Sequence, residues 1–389
     1  MENPIDEETA LANEALRSAL AAAAANPLNA EHWEQAGLLQ LELERATEAR
    51  TSFERFRALM PTAYAHLLLG RALLAENRMD DAVRELARAR ELDAGAAEVA
   101  SALGVAKMRA GDPASARPFL EQGADFDPAN EEAHVALARI SVADGDFDAA
   151  IALCTHVLRN DPVEPLSPLF IMGNSFLAVG AVVEAEQAYK AAVDVAPDDA
   201  TSLAGLAQVH LFLGDESRAE NELNHALTLD PSSPHAHVGL GNLFLGREAF
   251  DVAATHYADA ITADPTFVAA YAPLAALQLL QGDLDAARDS ANGGIAVSPT
   301  DHGCLLVRAQ VGELDGDFGN AEVYAARAVE ANPLDFRAHL TLARSRIALE
   351  REPDLVIPHL EQAVALVPPE NLAARDIKKF RDTYVRGVS

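Results

Sequence analysis

The sequence predicts an all-α solenoid of about ten stacked helix pairs with a capping helix at each end. The first observation is a helix-stopping position that recurs every 33–35 residues and holds proline at every occurrence but one: Pro27, Pro61, Ala94, Pro128, Pro162, Pro197, Pro231, Pro265, Pro299, Pro333 and Pro368. Proline suits this position because it cannot continue a helix and fits just beyond a helix end. Two apolar-periodic helices in a repeat of this length are typical of a stacked repeat fold.

Two further ladders, both of small residues, indicate where the helices of each pair touch. Alanine stands twelve residues before the stop positions, with Val356 as the exception: Ala49, Ala82, Ala116, Ala150, Ala185, Ala219, Ala253, Ala287 and Ala321. At one place on the first helix, five pairs carry glycine: Gly37, Gly70, Gly104, Gly173 and Gly241. The other five pairs carry alanine at the same place. These positions predict close helix contacts that a larger side chain would overpack.

Taken in order, the pattern divides the chain into four segments. We expect an N-terminal capping helix in residues 1–27, repeats 1–4 in 28–162, repeats 5–10 in 163–368 and a C-terminal capping helix in 369–389. The segment DPVEPLSP separates the two sets of repeats, and it holds three prolines and one extra residue. It is therefore the predicted place of a bend or of altered packing.

Turn chemistry within the pairs supports the same division into helices. Gly-Asp stands between the two helices of five pairs, beginning at Gly111, Gly145, Gly214, Gly282 and Gly316. Glycine suits the position after a helix, and aspartate caps the helix that follows. Pro273 lies near the start of a first helix, where its missing N–H predicts a distorted or late first turn.

The residues at fixed places match a known repeat. Places are counted from the first residue of each pair, so that Trp33 holds place 4 of repeat 1. The matching residues in repeats 1 and 5 are Trp33, Gly37, Ala49, Phe53 and Pro61, then Gly173, Phe176, Ala185, Tyr189, Ala192 and Pro197. This pattern resembles the tetratricopeptide repeat (TPR) over roughly residues 28–368. The resemblance implies a right-handed superhelix that binds proteins in its concave groove.

Two specialised forms of this repeat do not fit the sequence. Chaperone-tail adaptors carry lysine at place 5, and no repeat of this chain does. Sugar-transferase relatives carry an asparagine ladder at place 6 and a catalytic domain, and neither occurs here.

The charge of the chain limits the classes of partner. The formal net charge is −30 and the pI about 4.6, so nucleic acid and anionic membrane surfaces would repel the protein. No apolar run approaches the ~20 residues of a membrane span. Arginine outnumbers lysine by 26 to 4, which is typical of a GC-rich bacterial genome. The amino terminus MENPIDEETA has no basic signal region, so we expect a cytoplasmic location.

No pattern of catalytic, cofactor-binding or metal-binding residues stands out. The sequence has no phosphate-binding glycine loop, no H-E-x-x-H and no nucleophile elbow. His66, His134, His237 and His339 all hold place 4, which predicts a packing role rather than metal ligation. Cys154 stands at a packing position and is expected to be buried. We therefore predict a non-enzyme without cofactor or metal.

The candidate binding residues lie on the first helices. At 100° per residue, places 2, 6, 9 and 13 lie opposite the packed places 4, 7, 8 and 11. Place 6 is small or apolar in nearly every repeat, which predicts an apolar groove floor, and place 9 supplies a polar line. The candidate residues for partner binding are Arg71, Arg139, Phe170, Asn174, Gln208, Phe212, Val238 and Asn242.

A purely structural explanation of four of these residues stays open. Phe170 and Val238 lie on the flank and could pack between repeats, while Asn174 and Asn242 could cap local backbone.

The predicted function is a scaffold or adaptor that holds a protein or peptide segment of basic or amphipathic character in the groove. Two alternatives stay open: a solenoid that self-assembles, and a regulatory subunit of a separately encoded enzyme. The oligomeric state does not follow from the sequence.

Overall fold

The computed structural model describes residues 4–369 and 371–388, with the side chains of residues 4–8 and 388 left out of the description. These residues form 22 α-helices and one short 3-10 turn, and no strand occurs among them. The chain divides into two compact units, of which the first ends at Val195 and the second begins at Ala196. The all-α class and the ten helix pairs predicted from the sequence are confirmed.

The first unit holds a single helix followed by five pairs. Its helices are α1 Pro4–Ala25, α2 Ala30–Glu42, α3 Ala46–Leu59, α4 Ala63–Ala75, α5 Met79–Leu92, α6 Ala97–Arg109, α7 Pro113–Phe126, α8 Glu131–Ala143, α9 Phe147–Arg159, α10 Leu166–Ala178 and α11 Val182–Val195. Each helix packs against the next along the chain.

The second unit holds five pairs followed by a single helix. Its helices are α12 Ala200–Phe212, α13 Glu216–Leu229, α14 Pro234–Gly246, α15 Phe250–Ala263, α16 Tyr271–Leu280, α17 Leu284–Val297, α18 His302–Asp315, α19 Phe318–Ala331, α20 Phe336–Ala348, α21 Pro353–Leu366 and α22 Ala374–Val388. First helices also contact one another, as α12 does with α14 and α16 with α18.

The turns inside the pairs follow the predicted chemistry. Gly214 has a φ of +78°, a conformation that costs glycine little. The Asp215 carboxylate then accepts a hydrogen bond from the N–H of Arg218 and caps α13. The α14–α15 turn places Glu248 at a φ of +58° instead of a glycine, so that this turn carries backbone strain.

Close packing explains the ladders of small residues. The predicted alanines are all fully buried, as is Val356. On the first helix, a Cβ added to Gly241 would lie 2.5 Å from Tyr257 Cε1, and one added to Gly37 would lie 2.4 Å from Phe53 Cε1. In both cases the large residue stands sixteen positions later, on the second helix of the same pair. Glycine is required because the partner ring occupies the space of a side chain.

The prediction for Pro273 is confirmed. A 3-10 turn at Val268–Ala270 precedes α16, which begins only at Tyr271 and has ten residues. The proline therefore falls within the first turn of the helix, where its missing N–H breaks no helical hydrogen bond.

The prediction of an apolar groove floor at place 6 is wrong. Eight of its ten residues are buried, including Leu68, Ile171 and Val307. A Cβ on Gly239 would lie 2.4 Å from Leu223 Cδ2 on the second helix of the preceding pair. Place 6 therefore belongs to the core between successive repeats and is not an open surface.

Single helices close the two ends of the chain. Leu16 and Ala19 of α1 pack with Ala36 of α2, and Ile377 of α22 is buried against α20 and α21. Residues 1–3, 370 and 389 of the predicted terminal segments lie outside the described residues. The division into repeat sets after residue 162 stays a prediction.

Candidate functional site

The open side of the first helices is formed mainly by places 9 and 13. These places are four residues apart, so they lie on the same helix face. At place 9, Arg71, Arg139, Gln208 and Asn242 are exposed, whereas Asn174 is half-buried. This strip contains most of the residues that the sequence predicts for partner binding, and its character differs between the two units.

In the first unit, two arginines of the strip engage the neighbouring repeat. Arg71 Nη2 lies 3.9 Å from the Glu98 carboxylate, and both side chains are well exposed. Arg139 Nη2 donates to Ser167 Oγ at 3.0 Å. Glu98 and Ser167 both hold place 2 of the next repeat, so each arginine spans two first helices. An exposed ion pair such as Arg71–Glu98 contributes little stability, so the Arg71 guanidinium can exchange this partner for another.

The amides at place 9 rest on buried tyrosines. Tyr189 donates from its hydroxyl to Asn174 Oδ1 at 2.7 Å, and Tyr257 donates to Asn242 Oδ1 at 2.8 Å. Burial raises the pKa of Tyr257 to about 12, so the hydroxyl stays protonated and donates. The oxygens of both amides therefore accept from side chains fifteen residues away on the second helix of the same pair.

The flank residues of the predicted site are packed to different degrees. Phe170 is half-buried and meets the Tyr189 ring edge-on, with ring centroids 5.8 Å apart. Val238 packs against the cluster of Tyr257 and Leu274, which joins repeats 7 and 8. Val238 therefore contributes to the core between repeats. This is the packing role that the sequence analysis left open for it.

In the second unit the strip carries large exposed apolar side chains. Phe212, Leu280 and Leu314 hold place 13 of α12, α16 and α18, and they are 68%, 68% and 64% exposed. Gln208 and Gln310 hold place 9 one turn earlier on α12 and α18. We call these five residues, together with the exposed Asn242, the second-unit face. Leu280, Leu314 and Gln310 belong to it although the sequence did not single them out for binding.

Rings at place 4 tie the first helix to the preceding turn. Trp33 Nε1 donates to the Pro27 carbonyl at 3.0 Å, and the Tyr271 hydroxyl donates to the Pro265 carbonyl at 2.8 Å. His237 Nε2 and His339 Nε2 lie 3.2 and 3.0 Å from the equivalent carbonyls of Pro231 and Pro333. His237 and His339 therefore both pack and form a hydrogen bond to the preceding turn. The sequence signal for this hydrogen bond is the proline that stands six residues before each ring.

Cys154 and Glu313 both have raised pKa values. Burial raises the pKa of the Cys154 thiol to about 12, so it is an unreactive packing residue, as the sequence predicts. Burial raises the pKa of Glu313 to about 7, against the opposing effect of Arg344. Glu313 precedes Leu314 on α18, so a carboxyl group that titrates near neutrality borders the second-unit face.

A cavity of about 130 Å³ lies beside the predicted break in the first unit. Its walls include the stacked rings of His134 and His156, whose centroids are 4.6 Å apart. The Glu131 carboxylate accepts from the N–H groups of Val163 and Glu164 at 3.0 Å each and holds the loop in place. The cavity is smaller than the roughly 300–1,000 Å³ of a typical small-molecule site.

One cluster of side chains has the composition of a metal site. Within the described part of the chain, His237, His256 and Asp259 bring one ligand atom each to within 4.8 Å of one another.

Family profiles for the tetratricopeptide repeat match most of the chain. One matches residues 107–166 and 176–243, and a second matches residues 35–97 and 238–302. The chain belongs to the tetratricopeptide repeat family. Proteins of such stacked repeats generally present extended surfaces for protein–protein interaction.

Individual proteins resemble this TPR chain only in part. Protein CTR9 homolog of Arabidopsis thaliana is 28% identical over 137 residues, which are 33% of this chain and 13% of that protein. The BBSome complex member BBS4 of Bos taurus is 33% identical over 85 residues, 22% of this chain and 16% of that protein. The chain thus matches less than a fifth of the length of either relative.

Two solved structures match the chain at low identity. The APC/C hetero-tetramer Cut9–Hcn1 matches with a TM-score of 0.49 and 12% identity over 91% of this chain and 84% of that chain. PilF of Pseudomonas aeruginosa matches with a TM-score of 0.47 and 17% identity over 55% of this chain and 96% of that chain.

Each helix in the described ranges is too short or too polar to cross a bilayer.

Proposed function

We propose that this TPR chain is a protein-binding adaptor that holds a partner segment against the exposed faces of its first helices. The contacts in the first unit are Arg71, Arg139, Phe170 and Asn174, and those in the second unit are Gln208, Phe212, Val238 and Asn242. Leu280, Leu314 and Gln310 extend the second-unit contacts. Val238 contributes from below, by packing under the surface that carries Asn242.

The observation that carries the proposal is the exposure of Phe212, Leu280 and Leu314. Each residue leaves about two thirds of its surface exposed to water, although the same helices bury or half-bury their other large apolar residues. The three share one place in repeats 6, 8 and 9, so they recur along the unit. Recurrent exposed apolar side chains beside polar groups are typical of an interaction surface.

The chemistry of the face defines the partner segment. Apolar side chains at place 13 favour apolar anchors in the partner, and amides at place 9 both donate to and accept from its backbone. The net charge of −30 attracts basic segments and accelerates their association. The partner is therefore a basic, amphipathic segment of another protein.

The remaining parts of the proposal concern catalysis and location. We propose that the chain acts by binding and not by chemistry, since stacked repeats of this kind serve as interaction surfaces. Both cysteines are unpaired and buried, which fits a reducing compartment such as the cytoplasm.

The test is affinity capture from an extract of the native host with three baits. Wild type is compared with Phe212→Ser plus Leu280→Ser, and with the control Val252→Ser plus Val323→Ser. Val252 and Val323 are 43% and 55% exposed on second helices. We expect wild type and the control to capture the same partner protein in equal amounts. The face variant should capture much less of it.

Equal capture by all three baits would contradict the proposal. Sedimentation of the purified protein tests the alternative of self-assembly, because an adaptor stays monomeric at micromolar concentration. A wild type that sediments as an oligomer, and a face variant that sediments as a monomer, would favour the structural solenoid instead.

A further inference from the structure

A pair of histidines joins the two helices of repeat 7. His237 on α14 and His256 on α15 approach with their Nδ1 atoms 3.2 Å apart. A tetrahedral zinc ion with Zn–N bonds of 2.0–2.1 Å separates two ligand nitrogens by roughly 3.3–3.4 Å. The observed distance between the two Nδ1 atoms is therefore close to the distance between two ligand nitrogens of one zinc ion.

The hydrogen bond at the far side of the His237 ring determines which nitrogen can bind a cation. Nε2 faces the Pro231 carbonyl oxygen at 3.2 Å. In the equivalent position, the indole N–H of Trp33 donates to Pro27. A carbonyl only accepts, so Nε2 carries the proton and Nδ1 of neutral His237 presents a lone pair towards His256. Ring orientation by an N–H···O=C bond is the usual support of a metal-bound histidine.

A carboxylate completes the cluster. Asp259 follows His256 by three residues on α15, so both project from the same helix face. Its Oδ2 lies 4.0 Å from His237 Nδ1, and the side chain is half exposed. The carboxylate can therefore approach a cation by rotation about its side-chain bonds, while one coordination position stays open to water.

A stacked aromatic ring orients His256. The Phe244 ring stacks on His256 at a centroid distance of 5.6 Å and an angle of 7°. Arg247, whose guanidinium lies over the Phe244 ring at 5.8 Å from its centroid, is paired with Glu216 and Glu220.

We infer that His237, His256 and Asp259 form a site for a zinc-class divalent cation, which bridges the two helices of repeat 7. This site is independent of the proposed adaptor function, although α14 also carries Asn242 and α15 also carries Tyr257. The bound cation adds a cross-link between the helices that the apolar core alone does not provide.

The chain contains a matched pair that lacks the third ligand. His339 and His359 of repeat 10 have their Nδ1 atoms 2.9 Å apart, and His339 Nε2 faces the Pro333 carbonyl at 3.0 Å. The residue three positions after His359 is Gln362, not aspartate. Burial, with a smaller effect of the positive charge of Arg346, lowers the pKa of His359 to about 4, and that positive charge would also repel a cation. This pair therefore serves as an internal control for a histidine pair without metal affinity.

The test is calorimetric titration of zinc chloride into the full chain after treatment with a chelator. We expect wild type to bind one equivalent of zinc tightly, and His359→Gln to bind one equivalent with unchanged affinity. Asp259→Asn should bind at least tenfold more weakly, and His256→Gln should lose the tight equivalent. Asp259 is exposed, so its variant keeps the fold even where His256→Gln weakens it, and circular dichroism confirms this.

Three results would overturn the site. They are the absence of a saturable zinc equivalent in wild type, equal affinity of wild type and Asp259→Asn, and loss of the equivalent in His359→Gln. The first two would show that the histidines form a hydrogen bond only. The third would place the cation in repeat 10.

Discussion

Individual side chains set the distance between the two helices of a pair. Ala219 is fully buried on α13, the helix that packs against α12. Gly241 lies sixteen residues before Tyr257, whose ring leaves no room for a Cβ on the glycine. Interiors packed in this way respond to a single added methylene group.

Enlarging the alanine ladder tests this packing. Ala219→Leu should lower the free energy of unfolding by about 1–3 kcal/mol, because added methylene groups overpack the contact. Asn221→Gln is the control, since Asn221 is exposed two residues further along the same helix, and exposed sites change stability by less than about 0.5 kcal/mol. Equal melting temperatures for Ala219→Leu and wild type would contradict the repeat register.

The asparagine–tyrosine pairs make some place-9 residues structural as well as exposed. Asn242→Ala leaves the buried Tyr257 hydroxyl without its acceptor, which should cost about 1–3 kcal/mol. Gln208 holds the same place in repeat 6, where Leu223 stands at the position of Tyr257 and has no hydroxyl to satisfy. Gln208→Ala should therefore leave the free energy of unfolding almost unchanged. Adding Tyr257→Phe to Asn242→Ala should recover most of the loss in a double-mutant cycle by urea denaturation. A melt of Asn242→Ala that matches Gln208→Ala would refute the pairing.

The raised pKa of Glu313 gives the fold a pH dependence of a known sign. The folded-state pKa of about 7 exceeds the ordinary value, so the folded chain binds more protons than the unfolded chain between about pH 4.5 and 7. This group therefore lowers stability as pH rises through that window. Glu313→Gln should raise the melting temperature at pH 8 more than at pH 5.

The exposed Glu330→Gln is the control for Glu313→Gln and should show no such difference. A gain from Glu313→Gln that is equal at both pH values would contradict the shifted pKa.

At the scale of elements, the turns decide where each second helix begins. Five predicted Gly-Asp turns place glycine at positive φ, whereas repeats 1, 2, 7 and 10 place Glu44, Asn77, Glu248 and Glu350 there. The left-handed conformation costs a non-glycine residue about 1–2 kcal/mol, so the turns differ in local strain although their geometry is similar.

Exchanging the two turn types tests this difference. Gly214→Ala should destabilise the chain by about 1 kcal/mol or more. Glu248→Gly should be neutral or stabilising, because the strain it relieves exceeds the entropic cost of glycine, about 0.5–1 kcal/mol. Urea denaturation measures both effects. A neutral Gly214→Ala would show that the turn does not depend on its φ.

At the scale of the whole molecule, the sequence was sufficient for the helix pairs and their contacts. A period near 34 residues assigns each residue a place, and steric need then explains why Ala219 and Gly241 are small. Periodicity could not predict the burial of place 6, because a helical wheel describes one helix and Gly239 packs on Leu223 of the preceding pair.

The candidate site could be predicted only in outline. Spacing at 100° per residue placed Gln208 and Phe212 on the open side of their helix, and both are exposed in the structure. The Tyr257–Asn242 bond and the His237–His256 contact join side chains on different helices. Such pairings depend on side-chain geometry that no residue pattern contains.

Site-specific photo-crosslinking tests the central claim, that first-helix faces bind a partner segment, most directly. A photoreactive amino acid replaces Gln208 on the second-unit face in one protein and Asn221 on the second helix of the same repeat in another. Both positions are exposed, so neither replacement disturbs the core. The account predicts a covalent adduct with the captured partner from position 208 and none from position 221. An adduct from position 221 alone, or equal adducts from both, would contradict it.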